Sequence, residues 1–130
     1  MPARTPEEAH ELFSKYFTAG DLEALMSLYE PGATLVPQPG PAVSGHAAIR
    51  EAMIGFLALK PEFHLQPGKV VQAGDIALIF AKWTLKGTDP EGNAVETAGQ
   101  TSDVVRRQAD GSWLFVIDIP HGAAAVSDVP

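Results

Sequence analysis

Two carboxylates stand where a buried strand has no structural use for them. In the stretch TSDVVRRQADGSWLFVIDIPHG, residues 101–122, two apolar runs flank Asp110 and Gly111, and each carries one aspartate, Asp103 and Asp118. Charged groups avoid buried faces unless they are paired. With a two-residue turn, Ala109 meets Ser112 and Asp103 lies directly across from Asp118; Val105 then faces Val116, and Arg107 faces Leu114. Opposed side chains sit ~5 Å apart at Cβ. Carboxylates that close in apolar surroundings cannot both ionise readily, so one keeps its proton and the two form an acid–base pair. A three-residue loop over 109–111, with Gly111 left-handed, shifts the pairing by one and breaks the opposition unless a bulge restores it. The sequence leaves both turns open.

The other groups with chemistry in them are fewer. His121 follows the second run and could pass a proton to or from Asp118; the plainer reading is an exposed loop histidine. The plainer reading of Asp103 is a structural carboxylate bonded to backbone or to Arg50, and that of Asp118 a partly solvated rim position. His10, His46 and His64 read as solvated surface residues. His64, His121 and Asp118 are the one conceivable metal set, and no short ligand spacing supports it, so no metal is expected. With no cysteine, disulfides, thiolate nucleophiles and Cys-based zinc sites are excluded. Ser44 and Thr101 lack an adjacent base, and the glycines sit in turns rather than in a phosphate loop. No cofactor is expected.

These residues need a scaffold. Thr5, Pro6 and Glu8 read as a helix start, an N-cap with Pro at the first helical position and Glu closing a capping box. Ala9, Leu12, Phe13, Tyr16 and Phe17 follow at helical spacing until Gly20. Asp21 caps a second helix carrying Leu22, Leu25, Met26 and Tyr29, which Glu30, Pro31 and Gly32 break. A short strand over 33–36 runs into a stiff loop with three prolines in 37–41. A third helix starts near His46, buries Ile49, Met53, Phe56 and Leu57, and ends at Pro61. Strands over 63–72, 76–86, 94–108 and 112–119 complete the chain as an antiparallel meander. The reading is α+β: a curved antiparallel sheet packed against three N-terminal helices.

One domain is expected over 1–130, with a core of about 5–122 and a frayed tail over 123–130. The net charge of −7, from nine basic and sixteen acidic residues, disfavours nucleic acid and anionic membranes. No apolar run approaches the ~18 residues of a membrane span, and nothing resembles a signal peptide, so a cytoplasmic protein is expected. Residues 76–81, IALIFA, are apolar on both faces. The helices cover one face only, so the other is expected to meet a second copy in a homodimer.

Three stretches, GDLEALMSLYEPGATLVPQPG, SGHAAIREAM and TSDVVRRQADGSW, resemble the nuclear transport factor 2-like superfamily, and more narrowly its SnoaL-like and ketosteroid-isomerase-like branch. The resemblance spans roughly 5–122. It implies a cone-shaped fold whose pocket lies between the curved sheet and the long helix, opening near the Pro-rich loop. The fold hosts isomerases, cyclases, dehydratases and non-catalytic modules, so it does not choose among them. Ketosteroid isomerase has an Asp base and an oxyanion hole of Tyr and protonated Asp. By resemblance the tyrosine position falls at Phe13 and the base position at or beside Pro37. Only the oxyanion Asp survives, at Asp103. True ketosteroid isomerase activity is therefore not expected. The expectation is a pocket for an apolar small molecule, with Asp118, Asp103 and His121 catalytic and Gln38, Phe13, Phe56, Trp83 and Val116 against the ligand. A non-catalytic binding or interaction module is the alternative.

Overall fold

The structure, a computed structural model, is described for residues 2–37 and 41–122. Helix α1 (Pro6–Ala19) starts as its sequence requires, with the Thr5 hydroxyl accepting from the Glu8 N–H and Pro6 in the first turn. Glu8 reaches back one residue further than a capping box would, to the Arg4 N–H at 2.6 Å. Gly20 ends the helix in the left-handed region, where a Cβ would be strained. Helix α2 (Leu22–Met26) is a short element capped by Asp21. Strands β1 (Tyr29–Leu35) and β2 (Val43–Ser44) follow, then helix α3 (His46–Leu57). Four long strands close the chain: β3 (Glu62–Ala73), β4 (Ile76–Thr88), β5 (Ala94–Arg107) and β6 (Trp113–Ile119).

The six strands form one curved, unclosed sheet in the order β2-β1-β6-β5-β4-β3, with the helices on its inner face. The α+β expectation holds, with one correction to the sheet. It is mixed, because β1 runs parallel to β6 rather than antiparallel. Helix α3 returns the chain after β1, and the meander then arrives at β6 from the far edge.

Tyr29 is a second correction. Its spacing from Met26 fits a helix, yet α2 stops at Met26 and Tyr29 opens β1. Pro31 and Gly32, expected to break the chain, lie within β1 at an irregularity between the Tyr29–Phe115 and Thr34–Ile117 pairs. A proline without an N–H is tolerated where the ladder is already interrupted.

The core fills the concave side of the sheet. Phe17 packs on Phe63 with ring centroids 4.7 Å apart, Phe13 stacks on Phe17, and Tyr29 lies against Phe115 at 5.1 Å. Leu25, Leu28, Leu35, Ile49 and Met53 are fully buried around them. Burying each such side chain contributes about 1.5–3 kcal/mol, so this aromatic and aliphatic wall holds the helices against the sheet. Among the described residues no helix is long and apolar enough to cross a membrane.

A candidate acid–base site in an apolar cavity

The β5–β6 hairpin turns through the longer of the two possible loops. The Gln108 N–H donates to the Ser112 carbonyl and the Gly111 N–H to the Gln108 carbonyl, with Gly111 at φ +86°. Asp110 braces the loop by accepting from the Ser112 N–H and hydroxyl. Arg107 therefore pairs with Trp113, not Leu114, and Val105 with Phe115, not Val116. From that register Asp103 would miss Asp118. The register shifts between Val104 and Val105, leaving Val116 as one surplus residue on β6, and from Val104–Ile117 onward the strands pair as Asp103–Asp118. A bulge bends its strand and re-aims the side chains beyond it. Here it turns Asp118 back to the inner face.

Both aspartates are buried, at 2% and 6% exposure. Asp103 is not held by Arg50, which pairs with Glu23 on the surface. It accepts from the Thr101 hydroxyl at 2.8 Å, from the Ile119 N–H at 3.1 Å and from His10 Nε2 at 2.6 Å. Asp118 accepts from the Tyr29 hydroxyl at 2.5 Å. His10 is thus buried, not solvated as its place on the helix flank suggests, and Asp118 is no rim residue. His46 is also part-buried and contacts the Tyr29 carbonyl through Nε2.

Burial sets the charge of this cluster. It pushes the Asp103 carboxyl up to about 6, against the opposing pull of hydrogen bonds from Asp118, Thr101 and the Ile119 backbone. Asp118 is raised well above the ordinary carboxylate range by burial and then by the neighbouring Asp103 charge. Burial likewise lowers His10 to about 4, partly offset by Asp118, and raises the Tyr29 phenol. Asp118 therefore carries the proton and Asp103, with more donors aimed at it, carries the charge. His10 stays neutral and donates through Nε2. A protonated carboxyl beside its conjugate base can both give and take a proton without a cofactor.

The pair stands at one end of a cavity of about 310 Å³. Asp103, Asp118, His10 and Thr101 line that end; Phe13, Phe17, Phe56, Phe63 and Trp83 are among the apolar walls. Among the described residues neither lysine nor arginine lines it. Of the residues singled out from sequence, Asp103, Asp118, His121, Phe13, Phe56 and Trp83 meet on this one cavity. Val116 does not: as the bulge residue it leaves the wall to Phe115. Gln38 and the tail over 123–130 lie outside the described residues. Sequence reasoning missed His10, Tyr29 and Thr101. Among the described residues no three acidic or histidine side chains converge as a metal site requires.

Residues 9–116 match the SnoaL-like domain family. The chain belongs to that family. No curated protein matches the sequence significantly. Among solved structures, this SnoaL-like protein is similar to a ketosteroid isomerase-like protein from Erwinia carotovora atroseptica at 21% identity, covering 87% of this chain and 89% of that one with a TM-score of 0.79. It is also similar to a candidate dehydratase of the nuclear transport factor 2-like family from Streptomyces avermitilis, at 21% identity over 86% and 89% with a TM-score of 0.74. A protein from Novosphingobium aromaticivorans with a cystatin-like fold matches at 20% identity over 95% and 86%, with a TM-score of 0.75. Identities this low establish the shared fold, and the chemistry has to come from the site.

Proposed function

We propose that this SnoaL-like protein is an enzyme that transfers protons within an apolar small molecule, without a cofactor, in an isomerisation, cyclisation or dehydration. The carrying observation is the buried Asp103–Asp118 pair on the wall of a mainly apolar cavity. Asp118 acts as the acid towards a substrate oxygen and Asp103 as the base, each tuned by its own partner, Tyr29 and His10. His121 lines the same cavity away from the pair, beside Gly99 and Trp83, and so holds the substrate rather than sharing the proton transfer. A candidate dehydratase among the structural relatives is in keeping with this class of reaction. The test is turnover of a panel of cyclic enones and β-hydroxyketones in deuterated water, read as isomerised, dehydrated or deuterated product. Asp118→Asn should remain folded and lose turnover at least about a hundredfold, the usual worth of a general acid. Undiminished turnover in that variant removes the assigned roles.

A second reading is a non-catalytic cup for a hydrophobic ligand. It is favoured by the completeness of the network: among the described residues no buried side-chain nitrogen or oxygen lacks a hydrogen-bond partner. A site of that kind would show substrate binding without product.

The outer sheet face supports a homodimer. Val71, Leu78, Val104 and Ile117 pair in one row across β3, β4, β5 and β6, and three of them are more than a third exposed. With Ile76 beside them they make a contiguous apolar patch of the kind a second copy covers.

A further inference from the structure

The acid–base pair uses one end of the cavity, and the other end is built as deliberately. Asp103, Thr101 and Thr97 line the cavity along β5, and Gly99 falls in the same alternation. Gly99 is four residues from Asp103, so roughly 14 Å along the strand. Its partner across the ladder is Trp83 on β4.

Gly99 leaves a notch that two rings fill. A Cβ there would lie 2.9 Å from Trp83 Cζ2, closer than side-chain carbons approach, and 3.0 Å from His121 Nδ1, a tight contact that would press on the imidazole. Trp83 Nε1–H donates to the Pro120 carbonyl at 2.8 Å, and its ring meets His121 edge-on with centroids 5.0 Å apart. Gly122 repeats the device one residue on, where a Cβ would collide with Ser102. The chain leaving β6 is thus seated against β5 and tied by one hydrogen bond. Glycine inside a strand costs about 0.5–1 kcal/mol against alanine, and φ at Gly99 needs no glycine, so the requirement here is space.

We propose that Gly99 and Trp83 are positioning residues for His121, which gives the outer end of the ligand its hydrogen bond while Asp118 and Asp103 meet the inner end. This rests on the reading of the cavity as a small-molecule site. It narrows the ligand to an elongated, uncharged, mainly apolar molecule with an oxygen function at each end. An anionic end would meet neither lysine nor arginine among the described residues of this wall.

Two fluorescent probes separate the ends: β-naphthol, with one hydroxyl, and a naphthalene diol with hydroxyls at opposite ends. The wild-type protein should prefer the diol by about fivefold, the net worth of one hydrogen bond. His121→Ala and Gly99→Ala should narrow that preference to within about twofold, and His121→Gln, which keeps a donor, should restore part of it. Trp83→Phe keeps an aromatic ring but loses the tie to Pro120 and the ring atoms that fill the Gly99 notch, so it too should narrow the preference; this variant carries the test if Gly99→Ala fails to fold. Its His121 ring-proton resonances should shift. If Trp83→Phe weakens both probes equally and leaves the preference, Trp83 only packs and the positioning role is overturned. If the preference persists in His121→Ala, the inference falls while the small-molecule reading stands. If the wild-type protein binds neither probe, the small-molecule reading fails and takes the inference with it.

Discussion

Asp103 and Asp118 stand directly across from each other on neighbouring strands because one surplus residue in the turn is cancelled by one surplus residue, Val116, in the strand. With a turn of this length, the chain between the two aspartates requires one bulge. Gly111 is the hinge of that turn, at a positive φ that side chains rarely adopt. Gly111→Ala should cost about 1–2 kcal/mol in urea denaturation, the price of a left-handed non-glycine residue. Deleting Val116 should instead leave Asp103 facing Asp118, since 115 and 118 keep their inward sense, and carboxyl resonances in the shortened protein should still titrate as a coupled pair.

The charge assignment gives stability a particular pH dependence. Asp103 and Asp118 have folded values raised above their unfolded ones, so each stabilises below about pH 4 and loses that contribution as pH rises towards its folded value. His10 has a lowered folded value, so its neutral form gains stability between about 4 and 6.5 as pH rises. Over about pH 4 to 6 His10 and Asp103 oppose each other, and the slope left over belongs to Asp118. Unfolding free energy should therefore fall by up to about 1.4 kcal/mol per pH unit through that range and continue falling above pH 6.5, where His10 no longer compensates. Asp118→Asn should flatten the profile. An equally steep profile in that variant would assign the slope elsewhere.

Tyr29 and His10 should prove as important to the pair as the pair is to the cavity. Tyr29→Phe removes the donor that lowers the Asp118 value, so Asp118 should hold its proton to still higher pH. The stability loss should be about 1–2 kcal/mol, one buried hydrogen bond to a carboxyl group. His10→Leu fills the space but leaves Asp103 one donor short beside its charge, and should cost about 2–4 kcal/mol at neutral pH and less below pH 4. Carbon-detected titration of the two carboxyls, with urea melts, reads both. A His10→Leu protein as stable as wild type at neutral pH would mean that Asp103 is not charged.

How far the sequence foretold this site follows from what each residue reports locally. Asp103 and Asp118 were legible because a carboxylate inside an apolar run contradicts the pattern around it. His10 was not, since a histidine on a helix flank looks the same whether it faces water or a carboxylate 93 residues away. Tyr29 was misread because its spacing from Met26 suits a helix, and Pro31–Gly32 hid the strand it opens. The parallel pairing of β1 with β6 was beyond local reading, since strand direction within a sheet leaves no trace in composition. The bulge at Val116 was undetectable for the same reason: only the partner strand reveals which residue is surplus.

The outer face makes the last prediction. Leu78 and Ile117 are both 37% exposed and lie two strands apart in the Val71–Leu78–Val104–Ile117 row, so a charge at either lands within the patch. Neither lines the cavity, and the inner-face residues beside them, Ala77 and Asp118, keep their own contacts. Leu78→Lys together with Ile117→Lys should leave the monomer folded, because exposed positions tolerate charge, while a desolvated pair of lysines facing their copies would be costly at an interface. Sedimentation at micromolar concentration should show a dimer for wild type and a monomer for the double variant, with unchanged near-ultraviolet circular dichroism. A monomeric wild type would mean that the apolar row is left to water, and the homodimer reading would then be withdrawn.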